Sequence, residues 1–225
     1  MTARLSAMRS ASNRAFAKRP AGSAWRTHLY IAAIALAAMG SGAIAQPPDR
    51  ELLNSERIAA EFGSYGIEIL EQIDGSRFSN LYSGAGDEKT CRTFAAVRYQ
   101  RNMDPAVSAE HAAIVGGGSI GAVFVAAGWE VRKTHLSYSE TWAPPRLASL
   151  MRVAERTPLA THIYALDVAK GGRVVEYATL VEIHHPDYLT REDLPAIYGP
   201  AYEAPRSARS VAAFIVAQRW WERGP

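Results

Sequence analysis

The segment THIYALDVAKGGRVVEYATLVEIHHP, residues 161–186, constrains the fold more than any other stretch of this chain. Two long runs rich in β-branched and aromatic residues flank Gly171-Gly172. Glycine readily adopts the positive φ that a two-residue type I′ turn demands at both central positions, so the pattern predicts a β-hairpin. The turn also sets the register, with Lys170 opposite Arg173 and a regular ladder running on from there. On that ladder one face carries His162, Tyr164, Leu166 and Val168 with Val175, Tyr177, Thr179, Val181, Ile183 and His185. The other carries Ile163, Ala165 and Asp167 with Val174, Glu176, Ala178, Leu180, Glu182 and His184. The first face is the more apolar and is expected to meet the core.

The hairpin ends in EIHHPDYL, Glu182 to Leu189, where two histidines sit among carboxylates. Neighbours on a strand point to opposite faces, so this pair is not one ligand pair. A regular ladder puts His184 beside Glu182 on the wetter face, and His185 with His162 on the core face. A carboxylate beside an imidazole orients it and raises its pKa, as general-base or metal chemistry requires. Glu182, His184 and His185 are therefore the candidate catalytic residues. His185, His162 and His135 could together hold zinc with one open position, but they lack metal-ligand spacing, and no metal is expected. The plain alternative is a strand end, with Thr190 starting a short helix and Asp193 reaching back to cap it.

The stretch AAIVGGGSIGAVFVAAGWEV, residues 112–131, satisfies two motifs at once. Gly116, Gly118 and Gly121 fit G-x-G-x-x-G, and Gly117, Ser119 and Gly121 fit G-x-S-x-G. A dinucleotide loop must follow a strand and open a helix. Here Asp104-Pro105 starts a helix just upstream, so no cofactor is expected. A nucleophile elbow at Ser119 needs a parallel α/β framework before it, whereas the preceding residues read as antiparallel strands. The simpler reading is a helix–glycine–helix corner with Ser119 as cap of the second helix. Ser119, His162 and Tyr188 remain candidate binding residues around the hairpin end.

The N-terminus carries Arg4, Arg9, Arg14, Lys18, Arg19 and Arg26, then the apolar run Leu29–Met39 and the small residues Ala43 and Ala45 before Gln46. A basic head, a short apolar middle and an A-x-A end describe a signal peptide, residues 1–45, cleaved before Gln46. The apolar run is short of the ~20 residues of a membrane span. The chain is therefore expected to be periplasmic or secreted, with an uncleaved anchor as the alternative. All six of those cations leave with the segment: 25 − 6 = 19 basic residues then face 22 acidic ones, a net charge of −3. That excludes the basic footprint of a nucleic-acid-binding domain.

Residues 46–225 suffice for a single domain. The one cysteine, Cys91, cannot form an internal disulfide, so packing must hold the fold. At the head of an apolar run, Cys91 reads as a small buried hydrophobe. The coarse order of elements is α-β-β-β-α-α-β-α-β-β-α-α. This predicts an α+β domain, a single antiparallel sheet built from hairpins with helices packed on one face. The C-terminal helix is expected to cover the sheet through Val211, Phe214, Ile215 and Trp221, with docking of its tryptophans on a partner or membrane surface as the alternative. Two functions fit: an exported, non-catalytic domain that binds a small molecule or an envelope protein, or an envelope hydrolase or lyase using the histidine/carboxylate corner.

Overall fold

The computed structural model of the chain describes residues 51–223. Contacts divide the chain into two units, Met1–Ala45 and Gln46–Pro225, and every described residue belongs to the second. The expected signal segment and its boundary lie outside the described residues.

The elements appear in the predicted order: α1 (Asn54–Phe62), β1 (Gly66–Ile73), β2 (Ser76–Ser83), β3 (Thr90–Tyr99), α2 (Ser108–Val115), α3 (Ile120–Ala126), β4 (Glu130–Trp142), α4 (Pro145–Met151), β5 (Pro158–Lys170), β6 (Arg173–His184), α5 (Asp193–Tyr198) and α6 (Ala208–Glu222). The strands form one antiparallel sheet in the order β1-β2-β3-β6-β5-β4, an α+β fold. The β5–β6 turn forms at Gly171-Gly172, with φ of 57° and 81°.

Helices cover both faces of this sheet. On one, α4 and α6 pack on Phe78, Phe94, Ile163, Val181 and Ile183. On the other, α2 and α3 pack on Tyr164, Leu166, Tyr177 and Leu180, while α1 and α5 pack near Leu81, Ala95 and Ala160. The sheet accordingly has two apolar faces, which explains why its central strands read as nearly continuous apolar runs. Phe94 sits at the middle of the first face, 4.8 Å and 6.1 Å from the rings of Trp220 and Trp221. Burial of an aromatic of this kind is worth about 1.5–3 kcal/mol. The inward side of α6 is Ser210, Ala213, Ala217, Trp220 and Trp221, whereas Val211 and Ile215 are exposed. Small residues let α6 approach closely while the tryptophans fill the remaining space; the expected Val211/Ile215 face is thus corrected, and neither tryptophan is free to dock elsewhere. Among the described residues no helix is long and apolar enough to cross a membrane.

The hairpin departs from its expected register at one residue. Asp167 faces Glu176 as the turn dictates, but Leu166 faces Ala178, so Tyr177 is an extra residue on β6. Such a β-bulge moves every later side chain of that strand to the other face. Tyr177 is fully buried among Phe124, Tyr99 and His111 and bonds His111 Nδ1 at 3.0 Å. Beyond it, Leu180, Glu182 and His184 share the face of His162 and Tyr164, while Val181 and Ile183 join the α4/α6 side.

Candidate functional site

The bulge assembles a polar grid in the middle of the sheet. On the α1/α3/α5 side, Glu182 lies between Ala95 on β3 and His162 on β5, and His184 lies between Thr93 and Ala160. Tyr164 and His135 form the next row, opposite each other across β5 and β4. The expectation that His184 lies on the wetter face is overturned: His184 and His162 have no exposed surface, and Glu182 is 4% exposed. His185 is the residue that parts from the group. It comes just after the end of β6, takes the Arg92 carbonyl with its backbone N–H, and its Nδ1 accepts from the Asp187 amide at 3.0 Å. It therefore shapes the Pro186–Tyr188 turn and does not meet His162.

Each member is held by named partners. His162 Nε2 lies 2.9 Å from His135 Nδ1, and His135 Nε2 lies 3.5 Å from Glu51. Glu51 also pairs with Lys133 at 2.5 Å. His184 Nδ1 meets Thr93 Oγ1 at 3.0 Å, and Asn54 donates to the same oxygen at 3.2 Å. Tyr188 donates to Asn54 Oδ1 at 2.6 Å, and Tyr164 donates to Glu182 at 3.1 Å. Two atoms of the cluster remain without any partner: His162 Nδ1 and His184 Nε2.

Burial sets the electrostatics. It lowers the His184 pKa to about 3, helped by the positive Arg57 and Lys133. It lowers His162 well below the ordinary range, with His184, His135 and Lys133 adding to the effect. It raises Glu182, against the pull of Lys133 and hydrogen bonds from Asn54 and Tyr164. Burial also opposes ionisation of Glu51, but His135 and Lys133 outweigh it and hold that carboxyl below its usual range. Both imidazoles in the centre are therefore neutral at pH 7.

A cavity of about 60 Å³ adjoins the cluster, with Glu182, Tyr164, Lys133 and Asn54 in its wall. Its far side is Arg77, Tyr65 and Ser119, and Leu53, Leu81, Val97 and Ile120 supply apolar surface. Arg77 is 2% exposed and donates through Nη1 to the carbonyls of Ile114 and Gly118, at 3.0 and 2.9 Å. Its Nε has no partner, and it joins no ion pair among the described residues. The Tyr65 hydroxyl lies near Ser119 and Arg77, with its ionisation opposed chiefly by burial, and forms no hydrogen bond of ordinary geometry.

Ser119 thus stands in a cavity wall, at the N-cap position of α3, though its side chain makes no capping bond. The glycines before it serve the corner. Gly117 has φ +113°, and a Cβ on Gly118 would lie 2.7 Å from Val123 and 3.0 Å from the Ala113 carbonyl. The stretch joins two helices, so neither the dinucleotide loop nor the strand-borne elbow is present. Asp193 reaches back as expected, its carboxylate accepting from Thr190 N–H and Oγ1–H at 2.7 Å, but α5 begins at Asp193 with Glu192, not Thr190, at its N-cap position. Burial raises the Cys91 thiol far above its usual pKa, which makes it an inert core residue.

Sequence reasoning gave no site role to Arg77, Lys133, Tyr65, Tyr164, Thr93, Glu51 or Asn54. A signal was present in SRFSNLYS: arginine, serine and asparagine on both faces of a strand that lies inside the sheet demand partners. Lys133 and His135 also share one strand face by their spacing.

Comparison with known proteins finds no family model that matches the chain and no curated protein that matches it. Among solved structures, the chain is similar to a transcriptional regulator of the GntR family from Enterococcus faecalis V583, at 7% identity and a TM-score of 0.36, over 56% of this chain and 93% of that one. A likeness of that degree carries no argument about fold or function.

Proposed function

We propose that the chain is an exported, non-catalytic domain that binds a small organic anion in the cavity between α1, α3 and the sheet. One observation carries the binding reading: Arg77, in the cavity wall, is a buried guanidinium that holds two carbonyls, forms no ion pair among the described residues and has an unpartnered Nε. Burying a cation without its counter-charge is costly. A carboxylate entering beside Arg77 supplies both the charge and the acceptor. The apolar wall around a few convergent polar groups is the usual character of a small-molecule site. The volume suits a small carboxylate head, and a larger body requires Leu53 and the start of α1 to give way. Export rests on the N-terminal sequence pattern alone. No nucleic-acid partner is part of the reading, since residues 46–225 carry net negative charge.

A second reading is favoured by Glu182, which lines the same cavity with its pKa raised by burial. Burial favours its protonated form, and a protonated Glu182 is placed to give a proton to a bound ligand, the role of the acid in a hydrolase or lyase. His185 has no part in that scheme. The test is a thermal-shift screen of short mono- and dicarboxylates. At least one is expected to raise the melting temperature, and Arg77→Gln to abolish the shift. No shift from any carboxylate, or a shift that persists in Arg77→Gln, overturns the binding reading. Turnover of the ligand that stops in Glu182→Gln while binding survives establishes the second.

A further inference from the structure

We propose that His162, Glu182 and His184 form a binding site for a divalent metal ion of the zinc class. The three side chains come from neighbouring strands, and each offers a ligand atom within 4.8 Å of the others'. Tetrahedral zinc with bonds of ~2.0–2.2 Å holds its ligand atoms about 3.3 Å apart, so modest side-chain rotation closes the set.

The arrangement of the two imidazoles carries the inference. Each is anchored at its far nitrogen and bare at the other: His162 Nε2 by His135 and His184 Nδ1 by Thr93, with His162 Nδ1 and His184 Nε2 unpartnered. Two buried ring nitrogens without a hydrogen-bond partner, on side chains that cluster with a buried carboxylate, are not explained by packing. Metal-bound histidines show this same division, with the second nitrogen held by an outer partner that fixes tautomer and orientation.

The contacts also fit one tautomer of His162. The Glu51 carboxylate can only accept, so His135 presents Nε2–H to it. With the His135 proton on Nε2, its Nδ1 offers a lone pair, to which His162 presents Nε2–H. The neutral His162 is left with a lone pair at Nδ1, the bare atom. On the other ring, Thr93 Oγ1 is a ready acceptor for His184 Nδ1–H, which leaves the lone pair at Nε2. Burial keeps both rings neutral, as ligation requires.

Charge is consistent with this assignment. Glu51 compensates Lys133, so Glu182 is the carboxylate left for a cation, and Tyr164 orients it from behind at 3.1 Å. Two imidazoles and one carboxylate suit zinc and its first-row neighbours rather than magnesium or calcium. Three protein ligands leave a fourth position, and Glu182 also borders the cavity. The metal inference does not rest on the anion reading, and its test uses no anion.

The experiment titrates the purified full chain, stripped with a chelator, with Co²⁺ as the spectroscopic probe and Zn²⁺ as the competitor. The expected result is one equivalent of Co²⁺ with visible d–d absorption, bleached by Zn²⁺, and a higher melting temperature with either ion. His162→Gln and His184→Gln each lower affinity about tenfold or more, while His111→Gln, outside the cluster, leaves it unchanged. Absence of binding to the unmodified chain overturns the proposal, as does binding that survives both cluster variants. If those variants fail to fold, zinc-edge X-ray absorption of the unmodified chain decides. Two imidazoles in a nitrogen/oxygen shell support the site; a sulfur ligand or a shell without imidazole overturns it.

Discussion

Thr93→Val removes one hydroxyl and almost no volume from the middle of the sheet. Thr93 is fully buried and touches two polar groups, His184 Nδ1 at 3.0 Å and Asn54 Nδ2 at 3.2 Å. Valine leaves both nitrogens facing a methyl group. Each buried polar atom that loses its partner costs about 1–3 kcal/mol, so the expected loss is roughly 2–6 kcal/mol, nearer the low end because the Asn54 amide also reaches Glu182. For a domain of this size that lowers the melting temperature by roughly 5–15 °C. Urea unfolding monitored by tryptophan fluorescence reads it directly, since Trp220 and Trp221 are packed on the sheet. Thr161→Val is the control. That residue is equally buried, but its hydroxyl makes only a marginal 3.5 Å contact with its neighbour's carbonyl, and the expected change is within about 1 kcal/mol. Equal effects at the two positions, or a Thr93→Val loss below about 0.5 kcal/mol, would refute the idea that this network bears on stability.

Acid should destabilise the chelator-treated protein: above pH 7 His184 is neutral in both states, but at pH 5 the unfolded chain protonates it, at a cost of about 2 kcal/mol. His162 adds to the loss and Glu182, with its raised pKa, opposes it, so the check is that the difference in urea stability between pH 7 and pH 5 shrinks by about that amount in His184→Asn. Gly117→Ala forces φ +113° on a residue with a side chain and should cost about 1–3 kcal/mol in thermal unfolding; a neutral result would mean that the corner has another backbone. On α6, Val211→Glu and Ile215→Glu should each change stability by less than about 0.5 kcal/mol, whereas Ala217→Glu should prevent folding as judged by circular dichroism.

Much of this architecture is legible in the sequence, because its signals are local. Gly171-Gly172 predicts the hairpin and Asp104-Pro105 a helix start, where Asp104 accepts from Ala106 N at 2.9 Å. The candidate site is legible only in part. Glu182, His184 and His162 stand out as residues, but their meeting depends on one extra residue at Tyr177. Nothing in the alternation of VVEYATLVEIH marks the bulge, which answers to the packing of Tyr177 against α2 and α3. Arg77, Lys133 and Glu51 come from segments far from Glu182 in sequence, and only the sheet order brings them close to it. The helices on both faces obey the same logic: the side chains beyond the bulge exchange faces, so the α4/α6 side receives Val181 and Ile183 while Leu180 passes to the α3 side.

The most direct test of the buried cluster is the protonation and tautomer of its histidine rings, read from ¹⁵N shifts and long-range ¹H–¹⁵N couplings at pH 7.5 and 5. His184 and His162 are predicted to be neutral at both values, with the proton of His162 on Nε2 and that of His184 on Nδ1. A His184 that titrates near the ordinary ~6.5 of a solvated imidazole would contradict it. That result would return β6 to the unbulged register, with His184 facing water and no buried cluster to explain.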